Sequence, residues 1–122
     1  MSIVLDTNAV LYFLGGRLTR PLPEASFYVS VITEIELLSY PALTVEDETK
    51  ILEFLNDVTV VDLQFAMKQS AILLRRQYCL KLPDAVIAAT ALELRAELFT
   101  NDIKLSSIQA LRVIPLELAP IR

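Results

Sequence analysis

Ile3-Val4-Leu5-Asp6-Thr7-Asn8 decides the fold: a short apolar run stops at an acid, and Val10, Leu11, Phe13 and Leu14 then recur at helical spacing as far as Gly15-Gly16. A strand passing at once into a helix is a building unit of α/β domains, and the rest of the chain repeats the alternation. Phe27-Tyr28-Val29 predicts a second strand, and Ser30 a cap for a helix carrying Ile32, Ile35, Glu36 and Leu38 that ends near Pro41. Thr44 with Asp47 has the spacing of a capping box, and Ile51, Leu52 and Leu55 supply the apolar face of a third helix. Val58-Thr59-Val60-Val61 is β-branched enough for a strand; Asp62 is placed to cap the next helix, whose apolar face is read as Phe65, Ala66, Ile72 and Leu73. Arg75 and Arg76 fall near its end, where the helix dipole favours cations. Pro83 suits the first turn of a helix running from Asp84 to about Leu94. Leu98-Phe99-Thr100, a turn or short helix around Asn101-Asp102, and a last strand at Arg112-Val113-Ile114 complete the series. The expected fold is α/β, one domain over 1–122 with a mainly parallel sheet.

Composition narrows the chemistry. The chain contains no histidine, so histidine-based triads, imidazole zinc sites and histidine general bases are excluded. Cys79 is the sole cysteine; it rules out an internal disulfide, fits a reducing compartment and is expected to be a packing residue. Hydrophobic residues make up 54% of the sequence, yet no run approaches the roughly 18 to 20 apolar residues of a membrane span. With no secretory pattern at the N-terminus, a cytoplasmic protein is expected. So apolar a small chain is also expected to associate with another subunit, because a domain of this size hides only about two-thirds of its unfolded surface. The net charge of -4 argues against a broad basic surface for nucleic acid, although a bound divalent ion would reverse the sign of an acidic pocket.

In open parallel sheets, ligands bind beyond the carboxyl ends of the strands. Asp6 and Asp102 each follow a predicted strand, Asp84 opens a helix, and Glu36 lies on the helix begun by Ser30. Each has an ordinary structural reading: helix caps for Asp6 and Asp84, a solvated helix residue for Glu36, a turn residue for Asp102. If all four share one cleft, their mutual repulsion calls for a cation, and Mg²⁺ or Mn²⁺ with oxygen ligands and retained waters is the natural one.

Taken together these segments resemble the acidic motifs of PIN domains, most closely the toxin nucleases called VapC. Val4-Leu5-Asp6-Thr7-Asn8 is similar to the first motif and Ser30-Val31-Ile32-Thr33-Glu34-Ile35-Glu36-Leu37 to the second. Leu82-Pro83-Asp84-Ala85-Val86-Ile87-Ala88-Ala89 is similar to the third and Phe99-Thr100-Asn101-Asp102 to the fourth. The resemblance spans nearly the whole chain, with only the alternation of elements matching over 41–78. It implies a three-layer α/β/α domain and Asp6, Glu36, Asp84 and Asp102 as catalytic metal ligands or water-mediated supports. Thr7, Asn8, Ser30, Thr33, Thr100 and Asn101 would be supporting contacts, with Asn8, Thr33 and Thr100 foremost. It further implies a Mg²⁺- or Mn²⁺-dependent endoribonuclease acting on RNA, a protein antitoxin covering the acidic cleft, and a homodimer. Two other classes compete: a PIN-like fold kept as a non-catalytic RNA- or protein-binding module, and phosphotransfer on a similar frame. Phosphatases of the latter kind want a second aspartate two residues after the first, where Asn8 stands. Arg17, Arg20, Arg75, Arg76, Lys81 and Lys104 are the basic residues considered for RNA contact, although helix-end and solubility roles account for them more readily.

Overall fold

A computed structural model describes residues 1–120. Five strands, β1 (Ser2–Leu5), β2 (Ser26–Ser30), β3 (Thr59–Val61), β4 (Glu97–Phe99) and β5 (Val113–Ile114), form one sheet in the order β3-β2-β1-β4-β5, and every neighbouring pair is parallel. Six helices connect them: α1 (Thr7–Leu14), α2 (Val31–Leu38), α3 (Val45–Asp57), α4 (Phe65–Tyr78), α5 (Leu82–Leu94) and α6 (Ile103–Ser106).

Alternation along β1 explains the three layers. Ile3 and Leu5 enter one core with Ala9, Val10, Leu37, Ile51 and Phe54, while Val4 between them enters the other with Met67, Ala71, Leu74 and the small residues of α5. Both faces of the sheet are therefore covered. Residues Ala85 to Ala91 of α5 are all buried, which fits a helix apolar on every side. Its alanines allow close approach to the sheet and to α4.

The caps mostly follow the sequence. Asp6, Ser30 and Thr44 accept from the backbone N–H groups of Ala9, Ile32 and Asp47, at 2.7, 3.1 and 3.0 Å. Four expectations need correction. The buried face of α3 is Ile51, Phe54 and Leu55, and Leu52 is exposed. Asp62 does not cap α4; Gln64 occupies that position and makes no side-chain cap bond. The buried face of α4 is Met67, Ala71 and Leu74, whereas Phe65, Ala66, Ile72 and Leu73 are exposed. Helical periodicity allows either stripe to turn inward, and the slim Ala71 lets α4 lie close on α5. Cys79 is exposed rather than packed: it ends α4 in the left-handed region, φ 55°.

No helix among the described residues is long and apolar enough to cross a membrane.

Candidate metal centre

Strand order reverses between β1 and β4, since the chain builds outward through β2 and β3 and then crosses to the other side of β1. Asp6 and Thr100 stand at that point. Leu5 pairs with Phe99, so the next residues of the two strands meet: the Asp6 N–H donates to the Phe99 carbonyl at 3.3 Å, and the Thr100 hydroxyl donates to Asp6 Oδ2. The same hydroxyl oxygen accepts from the Asp102 N–H at 3.0 Å. Thr100, itself buried, thus ties the first acid to the fourth. Asp6 Oδ1 is held by the Ala9 N–H, so each oxygen of this buried carboxylate is fixed by one donor and keeps a lone pair free.

A second hydroxyl relay fixes Glu36. Thr7 Oγ1 donates to Glu36 Oε1 at 2.7 Å and lies 3.0 Å from Thr33 Oγ1. Because the one Thr7 proton is used on the carboxylate, the buried Thr33 must donate to Thr7. Thr33 and Glu36 are three residues apart on α2, so one face of that helix presents both to the start of α1. Asp84, the third residue of α5, is half-buried, and Asp102 is exposed, its Oδ1 accepting from the Lys104 N–H at 2.8 Å as the cap of α6.

Electrostatics places the acids in one field. Burial raises the Asp6 carboxyl above the usual range; the bonds from Thr100 and Ala9 oppose this, and the charges of Asp102 and Asp84 add to it. Asp84 is raised by burial and then by Asp102 and Glu36, with Lys81 and Lys104 acting in the opposite direction. Asp84 is therefore electrostatically coupled to all three of the others. The charges of Asp6, Glu36 and Asp102 thus reach Asp84, yet among the described residues no three carboxylates lie close enough to hold an ion by themselves.

The supporting residues divide. Thr33 and Thr100 stand in the hydroxyl relays, whereas Asn8 is exposed at the second position of α1 and outside both. Thr7, ranked below Asn8 on sequence, provides the direct link. Thr7 immediately follows the acid that caps α1, which fixes it at the first helical position, and that was the available signal. Ser30 caps α2, and Asn101 exchanges two bonds with the Leu116 backbone, at 3.0 and 2.6 Å, anchoring the segment beyond β5. Of the basic residues, Lys81 and Lys104 act on Asp84, while Arg17 bonds the Ala119 carbonyl and lies over the Tyr12 ring. Arg75 bonds the Leu80 carbonyl and Arg20 approaches Glu117. A separate, mainly apolar groove of about 670 Å³ runs between the ends of α1 and α2 and the start of α3, lined by Leu11, Leu14, Tyr40, Leu43 and Ile51 among others; none of the four acids lines it.

Comparison with solved structures finds the same architecture. A chain of a toxin–antitoxin complex from Klebsiella pneumoniae is 28% identical, with a TM-score of 0.76 over 92% of this chain and 95% of that one. A chain of VapBC2 from Rickettsia felis, solved bound to a DNA fragment from the promoter, is 21% identical with a TM-score of 0.80, covering 96% of this chain and all (100%) of that one. A chain of VapBC-1 from nontypeable Haemophilus influenzae is 24% identical, with a TM-score of 0.74 over 94% and 98%. Comparison with curated proteins finds no match. The PIN domain family model matches residues 3–111, from within β1 to a point beyond the fourth acid, so the chain belongs to the PIN domain family.

Proposed function

We propose that this chain is a Mg²⁺- or Mn²⁺-dependent endoribonuclease, the toxin of a VapBC-like toxin–antitoxin pair acting in the cytoplasm. The observation that carries this reading is the coupling of Asp6, Glu36, Asp84 and Asp102 into one field at the strand-order reversal of a PIN domain. Asp6, positioned by Thr100 and Ala9, and Asp84, half-buried at the start of α5, would hold the ion directly. Glu36, aimed by Thr7, and Asp102, fixed by its cap bond, would hold its water shell. The chemistry a divalent ion would supply there is positive charge and Lewis acidity toward a phosphodiester and the water that hydrolyses it. Lys81 and Lys104, whose charges act on Asp84, are the cations that would meet a substrate phosphate.

The likeness to toxin–antitoxin complexes supports a protein antitoxin as partner, its tail covering the acids, and the high apolar content supports a homodimer. Purified protein incubated with structured RNAs and Mn²⁺ or Mg²⁺, beside Asp6→Asn and Asp84→Asn, tests the enzyme. Cleavage by the unmodified chain alone is expected; equal cleavage by all three rejects it. The open spacing of the acids favours, as a second reading, a PIN fold that binds RNA or protein without catalysis. Calorimetric titration with Mn²⁺ separates the two, because such a scaffold needs no ion.

A further inference from the structure

The chain has fifteen acids and eleven cations, yet between Asp62 and Asp84 it has no acid at all and four of the cations, Lys68, Arg75, Arg76 and Lys81. Folding gathers three of these with a fourth from α6. Arg75 donates its Nε to the Leu80 carbonyl at 3.1 Å, and Lys104 donates its Nζ to the Cys79 carbonyl at 3.5 Å, so α4 and α6 both bring a cation to the segment just before Lys81. Arg75 and Arg76 line a groove of about 480 Å³ with Ile72, Cys79 and Leu80. Arg75, Arg76, Lys81 and Lys104 are exposed, and among the described residues none of them forms an ion pair. The helix dipole favours Arg75 and Arg76 in the last turn of α4 but disfavours Lys81 at the N-cap of α5, so helix ends do not account for the cluster.

We infer that this edge carries an RNA strand away from the acidic centre, its backbone held by Lys81 and Lys104 beside Asp84 and then by Arg75 and Arg76 at the end of α4. Charge complementarity identifies the occupant: unpaired cations in one place repel one another, and a chain of phosphates relieves that repulsion along its length. With Nε engaged on Leu80, Arg75 keeps its terminal nitrogens for a phosphate, in the forked geometry that suits one. Ile72, 46% exposed, gives the groove an apolar wall for a sugar or base. Contacts of this kind fix affinity and register without reading sequence. The inference rests on RNA as the substrate proposed above and adds the surface that binds it beyond the scissile phosphate.

Fluorescence anisotropy of a labelled single-stranded RNA of about 20 nucleotides, titrated with the full chain in EDTA from about 50 to 200 mM salt, tests the edge. Arg76→Gln is expected to lower the slope of log affinity against log salt by about 0.7, and Arg75→Gln with Arg76→Gln by about 1.4. The double variant is expected to bind about tenfold more weakly at an unchanged melting temperature. Lys50→Gln with Arg95→Gln removes the same charge from α3 and the far end of α5, and is expected to change affinity about twofold at most. Equal losses in the two double variants reduce the effect to net charge and overturn the edge. RNA cleaved in Mn²⁺ by the unmodified chain, with affinity unchanged in the Arg75 and Arg76 variants, overturns the edge and leaves the enzyme standing. RNA bound through the edge but not cleaved supports the edge and rejects catalysis. Neither binding nor cleavage overturns both. Tighter binding of a double-stranded DNA of equal length, with the same losses, overturns RNA as the occupant.

Discussion

The Thr100 hydroxyl donates to the Asp6 carboxylate across 94 positions of sequence, and its oxygen accepts from the Asp102 N–H. Parallel pairing of β1 with β4 makes the contact, because the residues following Leu5 and Phe99 emerge side by side. Replacing Thr100 by Val keeps the shape and removes both bonds, stranding a buried carboxylate oxygen. We expect urea unfolding to show a loss of about 1 to 3 kcal/mol. Thr100→Ser, which retains the hydroxyl, is expected to recover most of it; equal losses for Val and Ser would mean that the methyl, not the hydroxyl, matters.

Asp6 and Asp84 are held above the ordinary carboxyl range, chiefly by burial. The folded chain thus takes up protons at these sites more readily than the unfolded chain. Between the unfolded and folded pKa values their contribution to stability falls as pH rises, and the penalty is complete above the folded value. In EDTA, melting temperature is expected to be higher at pH 5 than at pH 7, and Asp84→Asn to shrink that difference by raising the pH 7 value. A wild-type chain that melts lower at pH 5, with no change in Asp84→Asn, contradicts this account.

Mg²⁺ or Mn²⁺ neutralises the same charges, so its effect is expected to follow the same pH course. Ligand at about a hundred times its dissociation constant stabilises the folded state by roughly 2.7 kcal/mol. The thermal shift from added Mn²⁺ is expected to be large at pH 7, smaller at pH 5, and lost in Asp84→Asn. A shift of equal size in the variant would place the ion elsewhere.

Ala88 is completely buried in the helix that covers the sheet beside the acids. Ala88→Leu adds three carbons where there is no room, and a cost of at least about 1 to 3 kcal/mol is expected in denaturant unfolding. Unchanged stability would show that the α5 interface is looser than its burial indicates.

Asp6, Ser30 and Thr44 were legible as caps because a cap is a local event: a side chain meets a backbone N–H two or three residues on. That Asp6 and Asp102 stand beyond the carboxyl ends of neighbouring strands was legible because a strand end fixes where the next residues emerge. What sequence did not settle was rotation. The two stripes of α4 have the same period, so only packing against α5 decides that Met67, Ala71 and Leu74 turn inward. The choice of Thr7 over Asn8 is likewise a matter of which first-turn residue of α1 faces α2. Cys79 reads as a small core residue by type, yet it occupies the left-handed position that ends α4, where the chain turns at the surface.

The central claim is that four acids distant in sequence share one cation. Crystals soaked in Mn²⁺ and measured for anomalous scattering address it most directly. The account predicts a peak between Asp6 and Asp84, with Glu36 and Asp102 reaching it directly or through water. A peak away from these carboxylates, or none at a concentration that saturates the thermal shift, would contradict it.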